Sequence, residues 1–581
     1  MLNRPTAGGR AATAGSRRAP VERTTATADA SRRSLLLLLG AALVLMLTGL
    51  DGTPLRGLYD DVNRALIARN LAQGGGWIAV DSTGEPVLTK PPLMYWTAAS
   101  LYRLTGRADE LPARLASVLG MLVLLLGTFH LGRRLRDTPT GLLAGLLLVT
   151  MHLFLAMARQ PLIDTVMLAG FGLCLIAVAE LMTAPATQRT RWWLLLAVGF
   201  AWTTMTKGPV LLPLLLLILA PQGFGSAPLR PSGRQWLAML GAVFLLVVPW
   251  HAAMLIAAPQ IKDIWLTELL GRFAGSSAYH DWTQKPWWFY GPDLANTAPW
   301  LFLWPAGVVW AWRRRRTDRL ASLLLWWSLG GLVFFTIASA TKRSYYLLPL
   351  YPAFALLGAG FWRSYRDREL RPVFPAALGR LVWGLTASVV AGLVLAAGMA
   401  VGSGRLAWPW GVAALALLLI GWIALGSGRR GWRRIRRRPE LPDAILAAAV
   451  VLLIYHAAIV PPWHAFLGGK PFLLAARSFI AAEESAAHPA TPAAPRPHIF
   501  ACDIELEIAA FYLGVRPFNI AGPDRLPDLV ARGGGGWLIT RVEHAAAVEG
   551  LTPALVQTLH SPLREESRTY GLYRLPQADA P

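Results

Sequence analysis

The chain has 581 residues, of which 54% are hydrophobic and only 15% are charged. This balance is typical of a polytopic membrane protein and excludes an ordinary soluble domain. The formal charge of +23 does not indicate a nucleic-acid-binding protein, because the arginines form short clusters between apolar runs instead of one basic face.

The N-terminal segment, residues 1–33, is rich in Arg, Ala and Thr and has no hydrophobic periodicity. We predict that it is disordered and lies on the cytoplasmic side. Its last residues and Ser34 form a Ser-Arg-Arg-Ser sequence that resembles a twin-arginine export signal, but no small-residue cleavage site follows. We therefore interpret the apolar run from Ser34 as an uncleaved first membrane helix.

Apolar runs of roughly 17 to 23 residues, the length that crosses a bilayer, recur along the chain. Together they predict about thirteen transmembrane helices. These begin near Ser34, Pro112, Thr140, Asp164, Trp192, Pro209, Gln235, Pro299, Leu320, Tyr345, Leu381, Trp408 and Leu441.

Arginine clusters follow every second predicted helix. They contain Arg133, Arg134 and Arg136; Arg189 and Arg191; Arg230 and Arg234; Arg313 to Arg316; Arg363, Arg366, Arg368 and Arg371; and Arg433, Arg434 and Arg436 to Arg438. Because cytoplasmic connections carry an excess of Lys and Arg, this alternation predicts a cytoplasmic N-terminus. With an odd number of helices, the other connections and the C-terminal tail lie on the outer face.

A change in hydropathy near Ser485 predicts a second domain. The sequences "PHIFACD" and "GGWLITRV" are typical of strands, "IELEIAAFYLG" of a helix and "TYGLYRL" of a final strand. We predict a transmembrane domain over residues 34–470 and a small outer α/β domain over residues 485–581, with outer loops at 51–111 and 257–298.

Two adjacent acids, Asp60 and Asp61, open the first outer loop, and Lys90 lies near its end. Side chains of adjacent helical residues point about 100° apart, so one acid can reach a substrate while the other orients a partner. The alternative is that Asp60 pairs with Arg64 and that both acids merely start an interfacial helix, where the dipole favours them. Two prolines follow Lys90, which places this cation on a rigid, non-helical turn.

Further cations occupy outer connections or helix ends, where the charge rule predicts few of them. They are Lys207, Lys285, Lys342 and Arg343. Together they suit a pocket for an anionic leaving group such as a lipid-linked phosphate. The alternative for each is contact with lipid headgroups.

Aromatic clusters accompany these cations at Trp287–Tyr290 and at Tyr345 and Tyr346. Such clusters are more often membrane-interface belts than sugar platforms. Two roles are likewise open for His280, which lies beside Asp281: a structural role as a hydrogen-bonded side chain, or a functional role.

Six motifs in the predicted outer connections carry a family resemblance. They are the acidic pair, Lys90-Pro91-Pro92, Ala-Arg-x-x-x-x-Asp ending at Asp164, Thr206–Pro209, Pro286–Tyr290 and Tyr345–Pro349. In this order they resemble the bacterial protein O-mannosyltransferase and lipid A aminoarabinose transferase superfamily. These are integral-membrane glycosyltransferases of the C-type fold. The resemblance runs from about Ser34 to Pro352, and the later helices and the outer α/β domain are also similar.

The resemblance implies an inverting transfer from a polyprenyl-phosphate-linked sugar at the periplasmic face of the bacterial inner membrane. The acceptor would be a protein, lipid A or another envelope glycan. Asp60 would be the base, Lys90 with Lys342 or Arg343 would hold the donor phosphate, and other site residues would contact substrate. Those others are Asp61, Arg64, Asp164, Lys207, His280, Lys285, Tyr345 and Tyr346.

The chain departs from the family pattern at three positions. The usual Asp-Glu pair is Asp60-Asp61 here, and Asn63 replaces a frequent arginine, with Arg64 next to it. Thr89 stands where members proposed to bind a metal have a glutamate, which argues against a divalent metal without excluding one. No other cofactor is implied.

The competing interpretation is a lipid-linked-sugar transporter or flippase. A transporter needs polar groups near the bilayer midplane, along a path for its substrate. The predicted helices are nearly free of charge at their centres, and the polar groups gather at one end, which favours the enzyme. Membrane lipids remain partners in either case.

Overall fold

The computed structural model describes most of the two predicted domains. The described residues are 19–51, 53–55, 61–74, 78, 87, 89–223, 229–266, 285–338, 342–367, 441–487, 498–502, 504–520, 522–532, 535–546, 548, 551–560 and 567–576.

Helices dominate the first domain. In chain order the main ones are α1 Ala19–Leu47, α2 Asp61–Gly74, α3 Leu93–Thr105, α4 Leu111–Leu135, α5 Thr138–Val149, α6 His152–Ala158, α7 Ile163–Thr183, α8 Arg189–Lys207, α9 Leu212–Leu219, α10 Gly233–Ala257, α11 Leu303–Arg314, α12 Arg319–Ile337, α13 Tyr351–Arg366, α14 Leu441–Ile454 and α15 Val460–Gly468.

Within the described part of the chain, 6 helices are long and apolar enough to cross a membrane, or up to 7 if a bent pair counts as one span. The six are all or parts of α1, α4, α7, α10 and α12, together with Ala444–Pro462 across α14 and α15. The predicted runs from Leu381 and Trp408 lie outside the described residues, so the number thirteen stays a prediction.

Two predicted spans differ from expectation. The run from Thr140 is not one straight helix, because α5 and α6 meet at 72°. Met151 is extended there, and the His152 N–H donates to Ala298 O at 2.9 Å instead of continuing the helical ladder. The run from Pro209 forms only the short α9, followed by a 3-10 turn.

Close helix contacts form the centre of the bundle. Gly120 and Gly127 of α4 lie against the α7 backbone at Thr165 and Gly172, where a Cβ atom would collide with backbone. Small residues let membrane helices approach and gain dispersion energy along their lengths. Gly170 of α7 lies against α8 in the same way.

Arginines of the predicted basic clusters form ion pairs at one end of this bundle. Arg134 Nε lies 2.8 Å from Glu180 Oε1, and Arg363 Nη2 lies 3.0 Å from Asp137 Oδ2. Glu180 and Asp137 at this end are therefore paired with arginines, whereas Asp318 accepts hydrogen bonds from the Leu320 and Ala321 N–H groups.

The opposite end, where α1 ends and α4 and α7 begin, is called the loop end below. Helices α2 and α3 fill the first loop and pack against each other there. The Lys90-Pro91-Pro92 segment is non-helical and leads directly into α3, as predicted.

The C-terminal region contains a small sheet flanked by helices. Its elements are α16 Lys470–Ala487, β1 Ile499–Ala501, α17 Leu506–Leu513, β2 Phe518–Asn519, α18 Leu526–Arg532, β3 Trp537–Arg541, α19 Val542–Ala545, β4 Pro553–His560 and β5 Ser567–Arg574. The strand order is β2-β1-β3-β5-β4, with β1 parallel to β2 and β3, and β5 antiparallel to β3 and β4. All four elements predicted from sequence are present.

A buried cluster joins this region to the loop end. The Tyr512 hydroxyl lies 2.7 Å from Glu110 Oε1, and Lys470 Nζ lies 2.8 Å from the same oxygen. The Leu55 N–H donates to the Tyr512 oxygen at 3.0 Å. Burial and the Glu110 carboxylate raise the pKa of Tyr512 well above its ordinary value, so its hydroxyl keeps the proton it donates. We call Glu110, Lys470 and Tyr512 the Glu110 clamp.

Candidate functional site

Buried charged side chains mark the loop end as the candidate site. Asp61, the first residue of α2, is 1% exposed, Asp164 is 7% exposed and Lys342 is 5% exposed. Burying a charge costs free energy unless it is compensated, and charges retained at a membrane depth usually have a function. These three side chains are therefore the starting point for the site.

Asp164 and Lys207 form a buried ion pair. Asp164 lies in the first turn of α7 and Lys207 ends α8, and their Oδ1 and Nζ atoms are 2.5 Å apart. Lys207 Nζ also lies 4.4 Å from the centre of the Tyr346 ring and 5.9 Å from that of Tyr345. The acid and the lysine are separate features of the sequence, whereas the structure joins them with both tyrosines in one unit.

Lys342 and Arg343 lie beside this unit. Lys342 Nζ is 3.4 Å from the Lys285 carbonyl oxygen, and burial lowers the pKa of Lys342. Arg343 lies 6.0 Å from the centre of the Tyr345 ring, and its backbone hydrogen-bonds the Tyr290 hydroxyl. Six predicted site residues are thus brought together: Asp164, Lys207, Lys342, Arg343, Tyr345 and Tyr346.

Tyr290 and Asp293 were not predicted as site residues. Burial raises the pKa of Tyr290 above its ordinary value, so its hydroxyl stays protonated. Burial also raises the pKa of Asp293, although hydrogen bonds from Ser344 and Asn296 oppose that shift. Only Tyr290 had a sequence signal, as the last residue of the Pro-Trp-Trp-Phe-Tyr motif.

Arg64 contacts Tyr95 in the structure. Its Nη1 donates to the Tyr95 hydroxyl, and its guanidinium lies 5.8 Å from the ring centre. Asp60 lies outside the described residues, so neither its role as a base nor its pairing with Arg64 is tested. The contact with Tyr95 connects α2 to α3 directly after the Lys90 turn.

Arg114 holds the backbone that precedes the acidic pair in the chain. It is fully buried and donates to Leu50 O at 3.1 Å and Pro54 O at 3.0 Å, and also to Thr53 O. Sequence reasoning missed it, because an arginine at the start of a membrane helix looks like an interface residue. Its hydrogen bonds to these three carbonyls fix the backbone between α1 and the acidic pair.

Two predicted residues, His280 and Lys285, need separate mention. His280 lies outside the described residues. Lys285 is exposed, and Trp287 and Trp288 are 75% and 56% exposed, as expected of a membrane-interface belt. Among the residues with described positions, no group of three His, Cys, Asp or Glu is placed to hold a metal ion.

Comparison of the whole fold defines the class of protein. The crystal structure of ArnT from Cupriavidus metallidurans bound to undecaprenyl phosphate matches 92% of this chain and 97% of that chain, with a TM-score of 0.69 and 19% identity. The shared architecture is the C-type fold of integral-membrane glycosyltransferases. The apo structure of the same protein gives a TM-score of 0.67.

Sequence comparison identifies the family. An undecaprenyl phosphate-alpha-4-amino-4-deoxy-L-arabinose arabinosyl transferase from Sodalis glossinidius is 30% identical over 404 residues, 68% of this chain and 70% of the relative. A relative with this name from Erwinia tasmaniensis is 26% identical and is covered over 73% of its length. One from Pseudomonas fluorescens is 30% identical over 57% of its length.

Residues 89–253 also match the family model of dolichyl-phosphate-mannose-protein mannosyltransferases. The chain belongs to the family of undecaprenyl-phosphate aminoarabinose arabinosyl transferases. Membership confirms the predicted class, a multi-pass membrane enzyme that transfers a sugar.

Proposed function

We propose that the chain transfers an aminopentose, 4-amino-4-deoxy-L-arabinose or a close analogue, from undecaprenyl phosphate to lipid A or another envelope acceptor. The observation that carries the proposal is the convergence of buried acids and cations at the loop end. The names of the relatives support this sugar and this carrier.

Inverting transfer needs three things from the protein: an acid for the acceptor, cations for the leaving phosphate and a platform for the sugar. The acceptor oxygen attacks the anomeric carbon, the bond from that carbon to the phosphate oxygen breaks, and undecaprenyl phosphate leaves. Asp60 takes the proton of an acceptor hydroxyl or orients an acceptor phosphate. Asp61, buried beside it in the chain, orients that acid.

Cations replace a general acid on the leaving side. A phosphate leaves without being protonated if positive charge stabilises it as it separates. Lys90, on its rigid turn, and Lys342 or Arg343 supply this charge. Burial lowers the pKa of Lys342, and a bound phosphate would relieve this desolvation of its charged form.

The Asp164, Lys207 and Tyr346 unit serves as the sugar platform. An aromatic face and a carboxylate suit a sugar that carries an amino group, because the face packs against carbon and the acid attracts the ammonium. Lys207 holds the Asp164 carboxylate in place for that contact.

We also propose the finer topology that the charge pattern predicts. The N-terminus is cytoplasmic, the loop end and the C-terminal α/β domain are periplasmic, and the chain has about thirteen spans in the inner membrane. Support comes from the arginine ion pairs at one bundle end and the candidate site at the other. Reporter fusions after Arg316 should read cytoplasmic and fusions at Pro581 periplasmic.

A transporter is disfavoured by where the charges lie in the described helices. In α4 and α7 the charged residues occupy the ends, Arg114 and Asp164 at the loop end and Arg134 and Glu180 at the other. A transport path would need polar groups at the centre of such helices.

The test is sugar transfer by the purified chain in lipid discs. The substrates are undecaprenyl-phosphate-linked 4-amino-4-deoxy-L-arabinose and lipid A. Wild type should transfer the sugar, Lys90→Ala should raise the donor KM strongly, and Lys90→Arg should restore only part, because the two cations present different donor geometries. Lys262→Ala, at an exposed position, is the matched control and should behave as wild type.

If wild type fails to use this donor but uses another polyprenyl-phosphate sugar, the assignment of the sugar is overturned. The assignment as a polyprenyl-phosphate-dependent glycosyltransferase would then still hold. Equal donor KM values for Lys90→Ala and Lys262→Ala would overturn the phosphate role of Lys90.

A further inference from the structure

A cavity of about 170 Å³ lies behind the candidate site. It is enclosed by the end of α1, by α6 and by the junction of α14 and α15. Asp61, Asp164 and Lys90, which carry the proposed reaction, do not line it. At about 30 Å³ per water molecule, it has room for about five waters or for one small polar group.

The polar lining of the cavity is basic. Its nitrogen-bearing side chains include two arginines and three histidines, and among its lining residues there is no Asp or Glu. They are Arg114, Arg159, His152, His456 and His464. Arg114 interacts with the Glu110 and Asp61 carboxylates outside the lining, whereas the charged neighbour of Arg159 is another cation, Arg114. A buried guanidinium in that setting is costly, so Arg159 favours an anionic ligand in the cavity.

Several buried polar atoms in the lining have no hydrogen-bond partner among the described residues. Arg159 Nη1 donates to Leu45 O at 3.2 Å and Met46 O at 2.7 Å, whereas Nη2 has no such partner. Neither ring nitrogen of His456 has one. Arg159 is 3% exposed and His456 4%. Buried polar groups are nearly always hydrogen-bonded, so these nitrogens indicate a ligand or ordered water.

The cavity lining includes both buried and half-buried residues. Arg159 and His456 are buried, while Asn296 and Ser344 are half-buried. Ser344 directly follows Arg343, so this lining adjoins the cations of the candidate site.

We propose that this cavity binds the phosphoryl group of a phosphate monoester through Arg159 Nη2 and the His456 imidazole. Arginine matches phosphate oxygens with paired N–H donors, and a neutral imidazole adds one more. The proposal rests on the proposed function only for the source of the phosphate. That source is either the undecaprenyl phosphate carrier or a phosphate on the acceptor glycolipid.

The first experiment measures binding without turnover. Inorganic phosphate is titrated into the purified full chain in detergent, at an ionic strength held constant with chloride, and the melting temperature is followed by tryptophan fluorescence. Wild type and Lys90→Ala should both be stabilised by phosphate. His456→Leu should weaken the apparent affinity roughly tenfold or more, because a hydrogen bond to a charged ligand is lost, and His456→Gln should retain part of it.

Arg159→Gln should abolish the effect, but it also removes the hydrogen bonds to Leu45 and Met46. His456→Leu breaks no hydrogen bond with the described residues and is therefore the decisive variant. The proposal is overturned if phosphate stabilises wild type no more than chloride does. It is equally overturned if His456→Leu keeps the full response, or if Lys90→Ala alone removes it.

The second experiment identifies the source. In sugar transfer, His456→Leu should raise the inhibition constant of undecaprenyl phosphate if the cavity holds the carrier phosphate. It should instead raise the KM of a phosphorylated acceptor, with that inhibition unchanged, if the cavity holds the acceptor phosphate. No change in either quantity overturns the assignment to a reaction ligand. Because phosphate titration needs no turnover, failure of the proposed sugar transfer leaves the first experiment valid.

Discussion

Breaking the Asp164–Lys207 pair from one side leaves a buried charge without its partner, so the two single substitutions should together cost more stability than the double substitution. Both side chains are only 9% exposed and their charged atoms are 2.5 Å apart. Removing one member of a buried pair leaves an uncompensated charge and costs about 3 to 5 kcal/mol. Lys207→Met should reach that range, because it leaves the Asp164 carboxylate buried without its lysine.

Asp164→Asn should cost less, about 2 to 3 kcal/mol, because the Tyr346 ring still stabilises the Lys207 ammonium at 4.4 Å. The double variant leaves no buried charge at this pair. Its cost should be at least about 2 kcal/mol smaller than the sum of the single costs, since residues in contact couple strongly.

The assay is a double-mutant cycle on unfolding free energy in mixed micelles, with sugar transfer measured on the same preparations. Single effects that add to within about 0.5 kcal/mol would refute the buried ion pair. Transfer supplies the second readout. If Asp164 contacts the sugar, the double variant regains stability but transfers at least about tenfold more slowly than wild type, since one charge-assisted contact is lost. If the double variant recovered both stability and sugar transfer, the Asp164–Lys207 pair would have only a structural role.

Three further predictions concern other parts of the molecule. Tyr512→Phe should lower stability by about 1.5 to 3 kcal/mol, the value of a hydrogen bond to a charged group, and slow transfer; unchanged melting and turnover would contradict the Glu110 clamp. Gly127→Val should lower the melting temperature by pushing α4 off α7, while Gly40→Val, at a position where an added Cβ meets no atom within 4 Å, should lower it much less; equal melting temperatures would contradict that packing. The raised pKa of Asp293 stabilises the fold below pH 3.8, the ordinary value, and this contribution is lost as pH rises through the folded value. Melting of Asp293→Asn relative to wild type should therefore improve from acid to neutral pH, and a difference independent of pH would contradict the shift.

Much of the candidate site could be predicted because its residues lie at helix ends between apolar runs. Asp164, Lys207 and Lys342 stand out there, since charges are rare beside membrane helices. Their partnership could not be read from the chain, because 43 positions separate Asp164 from Lys207 and helix packing decides which ends meet. Close contact between Gly170 of α7 and Gly199 of α8 brings these two helices together, and a sequence pattern does not show which helices pack against each other.

The bend between α5 and α6 also could not be predicted, because it depends on a contact between residues distant in sequence. The run from Thr140 is apolar throughout, and periodicity cannot reveal a break made by a distant carbonyl at Ala298. The cavity at Arg159 and His456 could not be predicted either, because His456 lies within the apolar run from Leu441 and the sequence does not show which residues face it. Strands β1, β3 and β5 were predictable, since β1 and β3 contain short apolar runs and β5 contains two tyrosines and a threonine, residue types that favour strands.

The Glu110 clamp has a consequence for the making of the protein. Tyr512 and Glu110 are separated by 402 positions, so the contact forms only after nearly all of the chain has left the ribosome. Until then the Leu55 N–H, which lies shortly before the acidic pair in the chain, lacks Tyr512 as its hydrogen-bond acceptor. A chain cut short before Tyr512 carries every proposed catalytic residue and keeps the Arg114 contacts, yet it lacks the hydrogen bond to Leu55. Completion of the reaction centre therefore depends on Lys470 and Tyr512, which lie in the last fifth of the sequence.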